Sequence, residues 1–486
     1  MAEQATSLMY AIRIPVVLKY AAQLALVQAG LILLPFCFAL NYAEYEHALC
    51  FFAISTLLTL IALPFLRLPV SAHIQTNEAF VIIVITFLTG AAVMIYPFMR
   101  VGLPFLDALF EAVSGITTTG LLTLADVETK PKSFLFARAW MQWYGGLGFV
   151  VLAVALMIGQ SANRRLLGQE IENKEIIVGI RNHARQVTLV YLVLTIFPLL
   201  LLYFGGVDGF TAIVHVLSTV STGGFSSFNN SLAGLHSWPV EFILSCVGLS
   251  GAISLTLYYR FYQHDFSYTS SVSETFFLIF LLTVLTAILT IILPMAQPGN
   301  WLTSIRQALL LSISAQTTTG FNSFDMTTLD PLAKIVAIFS MAIGGEVGST
   351  AGGFKILRFM ILLKLMHFSL QRPAMAEHAV YDAQLANNTI TVEEISRVLS
   401  LLGWYIALIF GSWLPFIALG YQPLDALFEV VSATATVGLS SGITQTSLQP
   451  VLKLVLCFDM LAGRLEIIAL VVCLYPNTWL GRRLET

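Results

Sequence analysis

Charged residues are scarce in this chain. Asp, Glu, Lys and Arg make up 10% of its 486 residues, whereas soluble proteins carry about 25%. Hydrophobic residues make up 57%, the mean hydropathy is +0.83, and many apolar runs reach the roughly 20 residues that cross a bilayer. This composition excludes a soluble domain and predicts an all-α polytopic membrane protein surrounded by lipid. The net charge of −3 indicates no class of soluble partner, and we expect no nucleic acid.

Cysteine and histidine are also sparse and scattered. The five cysteines show no metal-binding or redox spacing, and the eight histidines form no HxxxH pair. No cluster of His, Asp or Ser has catalytic spacing within the apolar spans, so we expect neither an enzyme nor an organic cofactor. The N-terminus lacks the charged region and cleavage site of a signal peptide, and we expect the first span to be retained.

What the chain does contain is a short Thr/Ser-plus-Gly segment that occurs four times. Two of its copies follow nearly identical leaders, Leu106–Ser114 and Leu424–Ser432. Thr-Gly pairs are common, but four copies at regular spacing favour a true fourfold repeat. The copies are ITTTGL (116–121), VSTGGF (220–225), TTTGFN (317–322) and ATVGLS (435–440).

Each copy lies between a half-helix of about 12 residues, or roughly 18 Å, and a long apolar span. Such a half-helix reaches only partway into a hydrocarbon core of about 30 Å, and the irregular backbone after it is tolerated only inside protein or water. The pattern therefore predicts re-entrant pore loops in four helix–pore-loop–helix repeats around one central pore, after two extra transmembrane helices. We expect an N-terminal helix pair at 1–72 and pore repeats at 73–160, 161–262, 263–372 and 373–486.

The repeated segments have the composition of an ion selectivity filter. A permeating cation must lose water, and backbone carbonyls replace that water without adding net charge. Glycine permits the required dihedral angles, and the negative end of each half-helix points at the site. The predicted filter residues are Ile116, Thr117, Thr118, Thr119, Gly120, Val220, Ser221, Thr222, Gly223, Thr317, Thr318, Thr319, Gly320, Ala435, Thr436, Val437 and Gly438.

Lys and Arg are more frequent on the side that shares the N-terminus, so we place the N-terminus in the cytosol and let the half-helices enter from outside. Acidic residues lie at the outer ends of these half-helices. They complement the helix dipole, and we favour this structural role over the attraction of cations to the pore mouth. The acids are Asp107, Glu111, Asp208, Asp425 and Glu429.

From 79 to 476 the chain resembles the Trk/Ktr/HKT superfamily of potassium transporters and, within it, the TrkH-like subunits. The motifs are the four filter glycines, 142–148 (QWYGGLG), 344–355 (GGEVGSTAGGFK) and 462–466 (AGRLE). The resemblance implies potassium as the permeant ion, bound at the filter residues, and a multi-pass protein of the bacterial cytoplasmic membrane. It also implies a homodimer and a cytosolic ring of regulatory subunits that bind NAD or ATP/ADP. The basic segment 164–185 is a candidate docking site for such a ring, although positive-inside bias explains it equally well.

A glycine-rich stretch at 344–354 interrupts the apolar span of the third repeat. It lacks the GxxxxGK[ST] spacing of a phosphate-binding loop, and close packing of helices through small residues is the plain alternative. The resemblance implies an intramembrane gating loop, formed by Gly344, Gly345, Glu346, Gly348, Gly352 and Gly353. Glu346 is unexpected, because the loop is otherwise small and neutral.

Arg464 lies in the middle of the last apolar span, where a charge is costly unless it faces water or a partner. Salt bridges to Asp459, Glu466 or Glu346 are one interpretation. A positive barrier below the filter is the other, and the two are compatible. The functional alternative to potassium uptake is a secondary transporter of another cation or solute that binds its substrate at broken helices.

Overall fold

A computed structural model describes residues 11–69, 74–165, 173–263, 269–296, 301–374, 384–385 and 388–480. These residues are almost entirely helical, as the composition predicts. The helices are α1 Ile14–Asn41, α2 Tyr45–Leu66, α3 Thr76–Met99, α4 Phe105–Ile116, α5 Lys132–Arg165, α6 Asn173–Phe204, α7 Gly209–Val220, α8 Trp238–Ala252, α9 Leu255–Tyr262, α10 Thr269–Ala296, α11 Trp301–Gln316, α12 Pro331–Ile343, α13 Ile356–Gln371, α14 Val392–Ala418, α15 Pro423–Thr434, α16 Pro450–Arg464, α17 Ile468–Leu474 and α18 Pro476–Leu480. The only paired strands in the described part are β1 Gln384–Leu385 and β2 Asn388–Thr389.

Six of the described helices are long and apolar enough to cross a membrane: α1, α2, α3, α6, α10 and α14. The fold is therefore the predicted all-α membrane architecture. Four shorter helices, α4, α7, α11 and α15, each end at one of the repeated Thr/Ser-Gly segments. We call them the leader helices, and we call α5, α8, α12 and α16, which follow those segments, the trailing helices. The boundaries proposed above for the N-terminal pair and the four repeats remain predictions.

The apolar runs at 238–262 and 450–475 have the length and composition that predict one continuous helix each. This prediction was wrong, because both runs are broken in the structure. The span at 238–262 divides into α8 and α9, which meet at an angle of 88°. The span at 450–475 ends α16 at Arg464 and resumes at α17, because Glu466 and Ile467 adopt positive φ angles of 54° and 60°. Gly251 and Ser254 flank the first break, and Gly463, Arg464 and Glu466 flank the second, but such residues also occur inside continuous membrane helices and do not by themselves specify a break.

The N-terminal pair packs on the first trailing helix. A three-residue turn joins α1 to α2, which makes them antiparallel neighbours. The rings of Phe38 on α1 and Phe136 on α5 are stacked with centroids 4.0 Å apart, and the indole nitrogen of Trp140 donates to the carbonyl of Leu31 over 2.9 Å. The extra helices are thus fixed against the element that follows the first repeated segment.

Cationic side chains join neighbouring leader and trailing helices around the molecule. Lys453 on α16 pairs with Asp107 on α4 at 2.5 Å, and Lys334 on α12 pairs with Asp425 on α15 at 2.7 Å. Glu241 on α8 pairs with Arg306 on α11 at 2.5 Å. At the fourth junction, the Lys132 ammonium of α5 lies 5.3 Å from the centroid of the Phe210 ring on α7. Each trailing helix is therefore joined to the next leader helix in a closed cycle.

Candidate functional site

A nonhelical arm follows each leader helix, and the four arms have the same backbone conformation. We define the arms as residues 117–121, 221–225, 317–321 and 435–439. In each arm a threonine has a positive φ angle, between 50° and 56°, and two residues later a glycine has a φ angle between 76° and 94°. The threonines are Thr118, Thr222, Thr318 and Thr436, and the glycines are Gly120, Gly224, Gly320 and Gly438.

This comparison corrects the register of the second arm. The sequence prediction chose Gly223 as the counterpart of Gly120, but the positive φ angle belongs to Gly224. Gly223 occupies the position of Thr119, one residue earlier. The tandem Gly223-Gly224 offers two candidates, and the backbone angles select Gly224, which also lies six residues after Ser218 as Gly120 does after Ser114. Ile116 and Val220, also predicted as filter residues, are the last residues of leader helices α4 and α7.

The four arms close into a ring. A Cβ atom placed on Gly120 would overlap the carbonyl oxygen of Gly223, and one on Gly224 would overlap that of Thr319. The same relation joins Gly320 to Val437, and Gly438 to Thr119. Each arm therefore lies against the next in chain order, and the fourth returns to the first. Any side chain at these four glycines would push the arms apart, so both the contact and the positive φ angle require glycine.

The arms differ in their hydroxyl groups. In the first arm Thr117 and Thr119 share a hydrogen bond of 2.8 Å between their hydroxyls, and in the third arm Thr317 and Thr319 share one of 2.7 Å. Gly223 and Val437 replace the second threonine in the other two arms, so this hydrogen bond has no counterpart there. The ring is thus a fourfold backbone arrangement with twofold side-chain chemistry.

The glycine-rich loop, residues 344–354, packs directly against the arms. Gly352 N donates to the hydroxyl of Thr318 over 2.7 Å, and the hydroxyl of Thr350 donates to the carbonyl of Val220 over 3.0 Å. A Cβ atom on Gly352 would overlap the carbonyl of Ala435. The loop therefore contacts the second, third and fourth repeated segments at once, on the side where the leader helices end.

The loop glycines permit its own compact folding. Gly344, Gly348 and Gly353 have φ angles of 72° to 79°, and Gly353 lies so close to Gly344 that neither tolerates a Cβ atom. The side-chain amide of Gln316 fixes the start of the loop, because its Nε2 donates to the carbonyl of Gly344 over 2.6 Å. The predicted gate glycines thus belong to one folded unit, and close helix packing alone does not explain them.

Glu346 fills a specific role in this loop. Its carboxylate accepts hydrogen bonds from Ser254 N at 2.9 Å and from the hydroxyl of Thr275 at 2.6 Å. Ser254 is the residue that precedes α9 at the break in the second trailing span. A carboxylate at a helix start satisfies a free N–H group and complements the dipole. The acid that looked out of place in the sequence therefore joins the loop to the broken helix.

Arg464 also contacts the loop. Its guanidinium donates to the carbonyl of Thr350 over 2.8 Å and to that of Gly146 over 3.5 Å. The three acids proposed as its partners contact other groups: Glu466 pairs with Arg358, Asp459 accepts from Ser412, and Glu346 contacts Ser254. The side chain is buried, so its charge lies between the loop and the first trailing helix.

The acids at the leader helices have structural partners. Asp107 and Asp425 pair with lysines of the trailing helices, and Asp208 accepts from Thr211 N over 3.1 Å. Glu111 pairs with Arg138 at 2.9 Å. Because ion pairs within the protein compensate the charges of Asp107, Asp425 and Glu111, these contacts favour the structural interpretation over the attraction of cations to the mouth.

Sequence reasoning missed several residues that hold the arms. The side-chain amide of Gln142 donates to the carbonyl of Gly223 over 2.5 Å, and its oxygen accepts from Phe225 N over 3.2 Å. The guanidinium carbon of Arg138 lies 3.8 Å from the centroid of the Phe225 ring. A polar residue inside an apolar span was the available signal for both. Within the described ranges, no three His, Cys, Asp or Glu side chains are grouped to hold a metal ion.

Comparisons with known proteins show the family and the fold. The family model described as TrkH, cation transport protein, matches residues 49–275 and 269–478. The Trk system potassium uptake protein TrkH of Escherichia coli K12 is 29% identical over 426 residues, with 84% of this chain and 87% of that protein covered. TrkG of the same organism is 27% identical over 423 residues, with 84% and 86% covered. The crystal structure of the potassium transporter TrkH from Vibrio parahaemolyticus matches with a TM-score of 0.86 at 25% identity, over 96% of this chain and all of that one. The chain therefore belongs to the TrkH family of cation transport proteins.

Proposed function

We propose that this multi-pass protein of the cytoplasmic membrane takes up potassium ions through a pore whose selectivity filter is the ring of four arms. Relatives that match most of its length are named as potassium uptake proteins, and as transporters they support a role other than catalysis. The observation that carries the proposal is the closed ring, in which the glycine of each arm lies against a carbonyl of the next.

The ring supplies what a dehydrating cation needs. Backbone carbonyls replace the water shell without adding charge, and the four leader helices end at the ring, so their negative dipole ends favour a cation there. The potassium ion is the permeating substrate, and the arms coordinate it transiently. The four glycines keep the carbonyls of neighbouring arms close together.

The glycine-rich loop and Arg464 form the gate in this proposal. The loop lies directly against the third and fourth arms at Thr318 and Ala435, and against Val220, the residue that precedes the second arm. Arg464 binds the loop carbonyl of Thr350, which keeps a positive charge near the ion path. Transport therefore requires the loop to leave the arms. Deletion of 345–352, or Arg464→Ala, is expected to raise cation flux in correctly inserted protein.

A homodimer and a cytosolic nucleotide-binding ring are the partners we propose, on the strength of the family alone. The candidate docking segment 164–185 includes residues 166–172, which lie outside the described residues. Binding of NAD, ATP or ADP would belong to the ring subunits, and this chain would respond through the loop.

Cation uptake in cells that lack their own potassium uptake systems tests the proposal. The wild-type chain is expected to admit potassium and rubidium better than sodium. Gly120→Ser is expected to erode that preference, because any side chain there meets the neighbouring arm. Gly403→Ser is the matched control, since nothing lies within 4 Å of a Cβ atom at this helical position. If inserted protein moves no potassium even with candidate regulatory subunits present, the proposal is wrong and another solute must be sought.

A further inference from the structure

One position on the leader helices contacts the chain beyond the arms. It lies nine residues before the arm glycine and carries Glu111, His215, Leu311 and Glu429 in the four repeats. All four side chains are buried, with at most 2% of their surface exposed. Because the leader helices and arms correspond residue by residue, these side chains occupy equivalent places behind the arms.

Three of the four hold the segment that leaves the ring. Glu111 accepts from Thr123 N over 2.9 Å, three residues after Gly120. Glu429 accepts from Ser441 N over 2.8 Å, three residues after Gly438, and also from the hydroxyl of Ser440 over 2.6 Å. In both repeats an acid of the leader helix is therefore hydrogen-bonded to the segment that follows the arm.

His215 makes the same connection with neutral chemistry. Its Nδ1 lies 2.8 Å from the carbonyl of Thr211, which can only accept, so Nδ1 carries the proton. The neutral ring therefore accepts at Nε2 from the hydroxyl of Ser226, 2.9 Å away and two residues after Gly224. A carboxylate and an imidazole thus perform one structural task at equivalent positions.

The third repeat lacks this connection. Leu311 offers no polar atom, and the buried hydroxyl of Ser323, three residues after Gly320, has no hydrogen-bond partner in the part of the chain that the structure describes. The second repeat holds this segment instead. Asn322 N donates to the hydroxyl of Ser231 over 3.2 Å, and Leu232 N donates to the carbonyl of Asn322 over 3.0 Å.

We propose that Glu111, His215 and Glu429 are positioning residues that set the ion preference of their own arms. In the same proposal, the loop that follows the second arm, residues 226–237, positions the third arm through Ser231. This inference rests on the proposed function, because it assumes that the arms select the ion. A side chain that fixes the exit of an arm also fixes where its carbonyls lie, and a small displacement changes how well they replace the water shell.

The proposal predicts two kinds of effect on the ratio of potassium to sodium uptake by purified protein in liposomes. Glu429→Leu makes the fourth repeat resemble the third without a substitute contact, and should lower the ratio about tenfold while transport continues. Ser231→Gly removes the hydroxyl that holds Asn322, and glycine suits the positive φ angle of 52° at this position. It should also lower the ratio. Ser227→Ala is the matched control, since the buried Ser227 hydroxyl has no hydrogen-bond partner in the described chain.

Leu311→Gln places a polar group at the position that Glu111, His215 and Glu429 occupy in the other repeats. It should make the third arm independent of Ser231, so that Ser231→Gly lowers the uptake ratio in the wild-type background and has little effect in Leu311→Gln. A role limited to general stability would give additive effects on protein yield and no change in the ratio. This pair also keeps the proposal testable if Glu429→Leu does not fold.

The outcomes separate the two proposals. If Gly120→Ser removes the potassium preference while Glu429→Leu and Ser231→Gly keep the wild-type ratio, the positioning role is wrong and the filter assignment survives. If Gly120→Ser itself leaves the ratio unchanged in inserted protein, the filter assignment fails. A lowered ratio in Ser231→Gly that Leu311→Gln restores supports the positioning role.

Discussion

The first and fourth leader helices share nearly the same sequence, yet the acids at their centres have different kinds of hydrogen-bond partner. Glu111 pairs with the buried guanidinium of Arg138. Among the described residues, the donors to Glu429 are all neutral: the hydroxyls of Ser440, Ser441 and Thr444 and the amide of Ser441. A glutamate at the equivalent position of two similar leader helices thus holds the segment after its arm, in one repeat with a counter-ion and in the other without one. The comparison teaches that the surrounding helices and loops, and not the repeated sequence, determine the electrostatics of each arm.

The two repeats should differ most in stability when each acid is replaced by its neutral amide. Glu111→Gln leaves the Arg138 charge buried without its carboxylate, and should lower the free energy of unfolding by about 3 to 5 kcal/mol. Glu429→Gln keeps an acceptor for the same neutral donors and should cost about 1 kcal/mol. Denaturant titration in detergent micelles measures both values. Equal losses would show that the counter-ion does not distinguish the two repeats.

A second pair of substitutions compares how the two leader helices are joined to the preceding trailing helix. Lys453 and Asp107 are both nearly buried, with 7% and 8% of their side chains exposed, whereas Asp425 is 29% exposed in its pair with Lys334. Lys453→Met should therefore destabilise by about 2 kcal/mol and Lys334→Met by about 1 kcal/mol or less. Thermal unfolding of the solubilised variants, with Arg100→Met at an exposed pair as control, checks the order. The reverse order would contradict the role of burial.

The fourth repeat spreads its support over several weak donors, so no single one should matter much. Ser440→Ala and Thr444→Val each remove one hydrogen bond to Glu429 and should cost about 1 kcal/mol. In the first repeat, Arg138→Leu removes the only cation paired with Glu111 among the described residues and should cost several times more. The same denaturant titration compares the three variants. A loss at Ser440 as large as that at Arg138 would contradict this distribution.

The smallest effect is expected at the loop between the first arm and α5, residues 122–131. Asp126 in this loop contacts the second repeat through an exposed hydrogen bond. Asn229 donates to Asp126 over 3.0 Å, and this hydrogen bond lowers the pKa of the Asp126 carboxyl below its ordinary value of 3.8. A lowered pKa means that the contact stabilises the folded loop above pH 3.8 and is lost as the pH falls through the lowered value. The protection factor for hydrogen exchange at the amide of Val127, which donates to Asn229, should fall at acid pH. In Asp126→Asn this pH-dependent fall should be absent, and its persistence there would exclude Asp126 as the cause.

Much of the fold was predictable because lipid imposes a simple rule. Backbone groups in a bilayer must be satisfied within the segment, so apolar runs of sufficient length become helices, as α1, α2 and α3 show. The breaks after Ala252 and Arg464 escaped prediction. The first break depends on Glu346, which lies 92 residues away from its partner Ser254, and no local pattern carries that information.

The candidate site was predictable to the level of segments. The four Thr/Ser-Gly segments, the glycine-rich loop and Arg464 lie together as the sequence suggested. The prediction of Gly223 instead of Gly224 was wrong; conformational preference does not separate two glycines, but the six-residue spacing from the leader serine Ser218, the same as from Ser114 to Gly120, indicates Gly224. The function of Gln142 was hidden, since its partner Gly223 is 81 residues away.

The amino-acid sequence by itself determined that the chain is a helical membrane protein with four related segments, because hydrophobic length and glycine placement act locally. Only the tertiary structure decided that the four arms close into a ring, which acids have a counter-ion and which repeat holds the third arm. The Lys453–Asp107 contact joins residues 346 positions apart, and the ring joins the fourth arm to the first. Such contacts arise when four similar repeats pack around one ring, and the small sequence differences between the repeats then determine which residues are in contact.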